Sequence, residues 1–587
     1  MFSRYLQKSL TSVNRSRSQL IFWFSLSLAF AAFCGILMLK TALSSDYAVS
    51  DDVRQHVFWM QRFVNPMLFP DDLATDYFQS LSPLGYITFY RLLANIGVEP
   101  IFLSKILPLV LGLISTAYCF GISMQLLAIP TAAFLSTFLL NQNLWLASDL
   151  SSSTPRAFLY PFFLGFLYYL LRGSLLPLLF VIALLGLFYP STLLVAIGIL
   201  IVRLVSWKNG RLRLTRERQD YVFCITGLGV AFISLLPYFL WENEFGSMVT
   251  AAEARMMPEF LQNGRTEFFV DNPIDYWLFH KRSGFIPIQW YRGAVASPIK
   301  FLLHFPQIWT GLLLPILLSY PQRFTLVSHL KGIVILLQIF IVSFGLFLAA
   351  HAVLFKLYLP SRFPQHSLQI IMPIAGAIAV IIILDALLDW ASNRTEQRQR
   401  QIITIAATVL LGVIIFLYPS YWRLKVTEFP HSGYVIGQAP KLYEFLSKQP
   451  ENIIIASLAQ EADNLPTFAQ RSVLVSKQSA LPYHLGYYRQ ILPRINDLLS
   501  AQYSQNATEL KNFVKKYNVD FWLLEPTAFS PEYFATHKWL SQRQFEPKIK
   551  EITNSLEQGN IPALKKVLKK CSVLETQDLI LLKAQCL

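Results

Sequence analysis

Two adjacent carboxylates, Asp51 and Asp52, stand in the segment SSDYAVSDDVRQHVFWMQRF, which opens at Ser44 just past the first long apolar run of the chain. With Asp46, Arg54 and His56 they fall within about one to three helical turns of the end of that run. A carboxylate at a water–lipid boundary is partly desolvated, which raises its basicity and favours a nearby counter-charge. Such a pair can act as a general base or hold a divalent cation, Mg or Mn. The bland competitor is a solvated polar loop. Insertion of the preceding helix does not require a paired Asp, and that favours a functional role for Asp51 or Asp52.

Cations recur where chemistry on an anion would want them. The segment KLYLPSRFPQHS carries Lys356, Arg362 and His366, and the stretch between Glu242 and Lys300 carries Glu253, Arg255, Arg265, Asp275, His280, Lys281 and Arg282 among aromatics. Arg grips a phosphate with two parallel hydrogen bonds and Lys adds a point charge. Charge pairing within the loop, or snorkelling of Arg362 to headgroups, competes with that reading. In SDLSSSTPRAF, Asp149 and Arg156 are read with the Ser, Thr and Pro155 residues as the start of a helix. Arg471, His484, Tyr487 and Tyr488 are candidate acceptor contacts. The sequence contains no nucleotide-binding glycine loop, zinc-ligand spacing or nucleophile elbow, which weakens ATP-driven transport and hydrolase readings.

These residues need a scaffold, and eleven apolar segments come close to the roughly twenty residues a spanning helix requires. They run from Gln19 to Leu43, Phe102 to Leu127, Thr131 to Leu146, Phe158 to Leu171, Leu175 to Tyr189, Thr192 to Val205, Tyr221 to Trp241, Phe301 to Tyr320, Ile333 to Leu354, Leu368 to Leu388 and Ile402 to Leu417. Arg4, Lys8, Arg15 and Arg17 precede the first, which reads as a retained helix with a cytoplasmic N-terminus. Alternation then puts Lys208–Asp220 (KNGRLRLTRERQD), Pro321–Lys331 and Asn393–Gln401 (NRTEQRQRQ) inside. Two of these are the most basic short loops, as orientation demands. Outside fall loops 44–101, 147–157, 242–300 and 355–367, and everything after Pro419. Val57, Phe58, Met60 and Phe63 suggest a helix lying on the membrane surface, with Asp71, Asp72 and Asp76 following.

Composition agrees with a membrane class: 587 residues, 54% hydrophobic and 14% charged, with mean hydropathy +0.43. The net charge of +15 belongs with orientation, and no basic segment joins a nucleic-acid-binding module. Cys34, Cys119 and Cys224 lie in apolar spans, whereas Cys571 and Cys586 could form a disulfide if the C-terminal domain is exported. Residues 1–418 thus read as a transmembrane domain with outer loops 44–101 and 242–300. Residues 419–587 read as a soluble α/β domain: helices over Ile436–Gln449, Tyr487–Ala501 and the run from Asn506, strands over Asn452–Leu458, Ser472–Ser476 and Asp520–Glu525, then a helical tail.

The layout of helices, the long first outer loop with its Asp pair and the exported C-terminal domain resemble the integral-membrane glycosyltransferases of the GT-C superfamily. The resemblance implies a polytopic α-helical GT-C-like fold and transfer of a hexose or pentose from a polyprenyl-phosphate-linked donor to an acceptor on the outer face. It places Asp51 and Asp52 at the catalytic position. Arg54, His56, Glu253, Arg255, Arg265, His280, Arg282, Arg362 and His366 are the candidate substrate contacts. The C-terminal domain lacks a WWD-type motif, which argues against an oligosaccharyltransferase. A transporter or flippase of a lipid-linked or anionic solute would be expected to show paired halves and midplane charges; a non-enzymatic membrane scaffold is the third reading. The retained first helix and the chain length fit a bacterial inner membrane, with membrane lipid as partner and no nucleic acid.

Overall fold

The structure, a computed structural model, describes the chain except residues 1, 14–15, 209–210, 241–242, 291–305, 393–396, 426–428 and 432. Arg15, Glu242, the ends of the basic loops at 209–210 and 393–396, and the start of the Phe301–Tyr320 span therefore lie outside the described residues. Five described helices contain stretches long and apolar enough to cross a membrane: Arg17–Ala42, Pro100–Leu126, Arg218–Tyr238, Val334–Ala352 and Arg362–Ala391. Shorter apolar helices cover Leu175–Phe188, Pro190–Arg203 and Ile402–Leu417, and Pro130–Leu144, Pro155–Arg172 and Pro306–Leu318 pack beside them. The protein is an integral membrane protein and mostly helical.

Local chemistry sets where these helices start. Ser16 and Gln19 form a reciprocal capping box at Arg17–Ala42. Pro100, Pro130, Pro155 and Pro190 each sit in a first turn, where the missing N–H costs nothing. Close packing depends on small residues: a Cβ on Gly35 would fall 2.5 Å from Leu109 Cδ1, and one on Gly186 would collide with Ser234. The helix Arg362–Ser392 runs through the middle, its most apolar window 78% buried against 22% for Arg17–Ala42. The buried amide of Asn143 is satisfied on both sides, its Nδ2 donating to Gln369 O at 2.9 Å and its Oδ1 accepting from Trp290 Nε1 at 2.7 Å.

At one end of the helices the expected outer loops and the C-terminal domain meet. Asp51 N donates to Gly433 O, His431 N to Trp145 O, Val249 N to Tyr483 O and Ser361 N to Arg282 O. At the other end Thr11 Oγ1 donates to Asp385 Oδ1 at 2.6 Å, and Lys331 N to Leu126 O at 2.9 Å. The strand Ala48–Ser50 pairs antiparallel with Tyr434–Ile436, Val49 opposite Val435, which clamps the chain immediately before Asp51.

The C-terminal segment carries a five-stranded sheet in the order Ser472–Val473, Ile454–Ser457, Phe521–Leu524, Ile580–Lys583, Ser572–Glu575. The first three strands are parallel and the last two antiparallel. Helix Pro440–Ser447 covers one face, through Leu442 and Leu446 against Ile455 and Leu523. Helices Leu485–Tyr503 and Ala507–Tyr517 cover the other, against Trp522 and Leu582. Burial on both faces explains the continuous apolar run FWLL.

Three expectations are corrected. The tail is not wholly helical: SVLE and ILLK return to the sheet as strands, and Cys571 and Cys586, flanking them, are disulfide-bonded. The residues from Ile436 open with a strand and become helical only at Pro440. Val57, Phe58 and Met60 do not face lipid, for they are buried in short helical turns, Val53–His56 and Phe58–Phe63, with Phe69 and Phe78 among their neighbours. An apolar stripe satisfied by protein replaces one satisfied by the membrane.

Candidate functional site

The two adjacent aspartates diverge. Asp51 is exposed, pairs with Arg54, and accepts a hydrogen bond from Gln478 Nε2 at 2.9 Å. Arg54 in turn donates to Asn464 Oδ1 at 2.8 Å, so this corner fastens residues 44–101 to the C-terminal segment. Asp52 turns the other way. Its Oδ2 lies 2.5 Å from Arg156 Nη2, and Arg156 Nε lies 3.0 Å from Asp149 Oδ1, so one guanidinium joins two carboxylates.

Asp149 is held from behind. Tyr160, one turn beyond Arg156 and fully buried, sets its hydroxyl between two acceptors, Asp149 Oδ2 at 2.9 Å and Gln369 Oε1, and His366 Nδ1 stands 3.2 Å from that hydroxyl and 3.7 Å from Asp149 Oδ2. His366 Nε2 is buried without a hydrogen-bond partner among the described residues. Helix Arg362–Ser392 begins six residues before the apolar run, because Pro364 falls in a first turn, and this places Arg362 and His366 on the helix rather than in a free loop.

Burial, the largest influence, would raise the Asp52 carboxyl, but Arg156, His56 and Lys281 together outweigh it and hold the group below the usual carboxylate value. Asp149 behaves alike, burial opposed and overcome by Arg156, His366 and Arg362, and lies far below that value. Burial keeps His56 below its ordinary pKa and hence neutral at pH 7. Lys281 keeps solvent exposure, yet the protein packed round its ammonium and the nearby Arg282, Arg156 and Arg362 bring it down to about 8. Among the described residues neither Lys281 nor Arg362 has a carboxylate within salt-bridge distance. Arg156, Lys281 and Arg362 thus form a cationic cluster facing two carboxylates, suited to an anion beside a base.

Of the sequence candidates, Asp52, His56, Arg362 and His366 come together here. Others are used elsewhere. Glu253 closes a capping box with Thr250, Arg255 lies over the Phe269 ring, and Arg265 donates twice to Lys477 O. Arg282 donates to Glu267 O, and His280 Nδ1 bonds Ser283 Oγ at 2.9 Å with burial lowering its pKa to about 4. In the C-terminal domain Arg471 is spent on the carbonyls of Ser447 and Gln449, Tyr487 stacks on Tyr77, and Tyr488 donates to Glu259. Asp72 caps helix Leu73–Ser80, and Asp76 pairs with Arg62. Asp149, Arg156 and Tyr160 enter the site although local sequence reads them only as a helix start.

A divalent cation, the alternative to a general base at Asp51 and Asp52, has no common point there, since the two carboxylates point to different partners. Among the described residues no group of three or more Asp, Glu, His or Cys could hold an ion.

No family model matches the chain, and no curated protein matches it. Solved structures do. The oligosaccharyltransferase of Archaeoglobus fulgidus in its apo form is 12% identical with TM-score 0.52, over 88% of this chain and 71% of that one. The archaeal oligosaccharyltransferase AglB from Archaeoglobus fulgidus, in complex with an inhibitory peptide and a dolichol-phosphate, is 11% identical with TM-score 0.53, over 90% and 72%. At such identity the likeness is one of fold alone.

Proposed function

We propose that this chain is an inverting membrane glycosyltransferase that moves a hexose or pentose from a polyprenyl-phosphate-linked donor to an acceptor hydroxyl on the outer face. The observation that carries the reading is the Asp52–Arg156–Asp149 bridge beside Lys281 and Arg362. Asp52 Oδ1 takes no hydrogen bond from the described residues, so it remains available to an acceptor. As the acceptor oxygen bonds to the anomeric carbon, the bond from that carbon to the phosphate oxygen breaks. Polyprenyl phosphate leaves with the electron pair, and the acceptor proton passes to Asp52. Positioned proton transfer of this kind is worth about 10²–10⁴ in rate. Arg362 and Lys281 meet the charge that grows on the leaving phosphate. Arg156 fixes the base and keeps it ionised.

The topology that goes with this chemistry has eleven spans over residues 1–418, a cytoplasmic N-terminus, the site and residues 419–587 outside, and a bacterial inner membrane. A lipid-phosphate complex in one solved structure of the same fold agrees with a lipid-linked donor; the acceptor is left open. Native mass spectrometry of the full chain in lipid nanodiscs tests the anion site. Wild type is expected to retain added polyprenyl phosphate, and Lys281→Ala with Arg362→Ala to lose it by roughly tenfold or more, the worth of about one charge-assisted hydrogen bond. Equal retention by both would remove the phosphate assignment.

A further inference from the structure

The space between Asp52 and Asp149 is the one place in the site where two carboxylates converge, and a guanidinium fills it. Arg156 Nη2 donates to Asp52 Oδ2, and the same guanidinium pairs with Asp149 through an Nε–Oδ1 distance of 3.0 Å that lacks hydrogen-bond geometry. The second oxygen of Asp149 already faces the Tyr160 hydroxyl. A Mg or Mn ion would have to displace Arg156 and gather about six oxygens near 2.0–2.6 Å. It would also add two charges beside Lys281, which acts on Asp52 from the 242–300 segment, and Arg362, which acts on Asp149 from the helix start.

We infer that Arg156 is the resident cation of this site, standing where a divalent ion would otherwise bridge Asp52 and Asp149, so that the site takes no divalent metal. On the reading proposed above, side chains alone then neutralise the lipid phosphate. The inference deepens that reading but is tested apart from it. Mn²⁺ alone is titrated into the purified full chain and the free-ion signal read by electron paramagnetic resonance.

Wild type and Asp52→Asn are expected to titrate alike, with no site that depends on Asp52. Arg156→Gln, which keeps the side chain's bulk and a hydrogen-bonding amide, is expected to gain a Mn²⁺ site at least about tenfold tighter than any in wild type. Adding Asp52→Asn to it should abolish the gain. Mn²⁺ binding in wild type that Asp52→Asn removes would overturn the inference. So would a folded Arg156→Gln protein, with wild-type circular dichroism, that gains no site. If Arg156→Gln does not fold, the wild-type and Asp52→Asn comparison decides by itself. Failure to retain polyprenyl phosphate would strike the proposed function and leave the metal result standing.

Discussion

The Asp52 carboxylate and the Arg156 guanidinium, 104 residues apart in the chain, meet at 2.5 Å and tie the segment after the first long helix to the start of helix Pro155–Arg172. With 31% of the Asp52 and 17% of the Arg156 side-chain surface exposed, the two groups are neither fully desolvated nor well screened. Arg156→Ala leaves two part-buried carboxylates facing each other. The expected cost is about 2 kcal/mol of stability, below the range for fully buried pairs. Thermal unfolding in detergent checks this, and the double variant Arg156→Ala with Asp149→Asn should recover part of the loss.

Tyr160→Phe removes a buried hydroxyl set between Asp149 and Gln369. Asp149 then keeps Arg156 but loses its support from behind. A loss of about 1 kcal/mol in transition-state stabilisation, roughly fivefold in kcat/KM, is expected with little change in folding. An unchanged rate would show that Asp149 needs no such support.

The lowered ammonium pKa of Lys281, about 8 against an ordinary 10.5, gives a pH signature. Below pH 8 Lys281 is charged and meets phosphate; above it the proton is lost, so affinity for polyprenyl phosphate falls by up to about tenfold per pH unit. Lys281→Arg should remove that alkaline fall. For folding the sign is opposite: between about pH 8 and 10.5 the unfolded chain holds a proton the folded chain has released, so this group adds stability as pH rises. Binding titrations from pH 6.5 to 9.5 read the first effect.

The Cys571–Cys586 bond closes a loop of 15 residues across the two antiparallel strands at the sheet edge. Cys571→Ser is expected to cost about 3 kcal/mol, felt in the C-terminal domain. Protease susceptibility of the full chain with and without reductant measures it. Retention of polyprenyl phosphate should persist, because the anion site lies in the helices and outer loops.

Much of the scaffold was legible because spanning helices must be apolar along their length. Asp51 and Asp52 were legible as a pair, but adjacency along a chain says nothing about which way each side chain turns. That choice is made by Gln478 and Arg54 on one side and Arg156 on the other. Asp149 and Arg156 were passed over because Ser, Thr and Pro beside them account fully for a helix start. Pro364 marked the true start of its helix, which would have placed Arg362 and His366 on a fixed element. The stripe Val57, Phe58, Met60 was misplaced because lipid and protein core ask for the same residues.

The sharpest test separates the two neighbouring aspartates. Release of sugar from a panel of polyprenyl-phosphate-linked hexoses and pentoses is measured with purified Asp51→Asn and Asp52→Asn proteins. Asp52→Asn is expected to lose at least about 10²-fold in rate, the lower bound for a missing general base. Asp51→Asn, exposed and paired with Arg54, should stay within a few-fold of wild type, as exposed ion pairs contribute about 0–1 kcal/mol. Full activity in Asp52→Asn, or the larger loss in Asp51→Asn, would contradict the assignment.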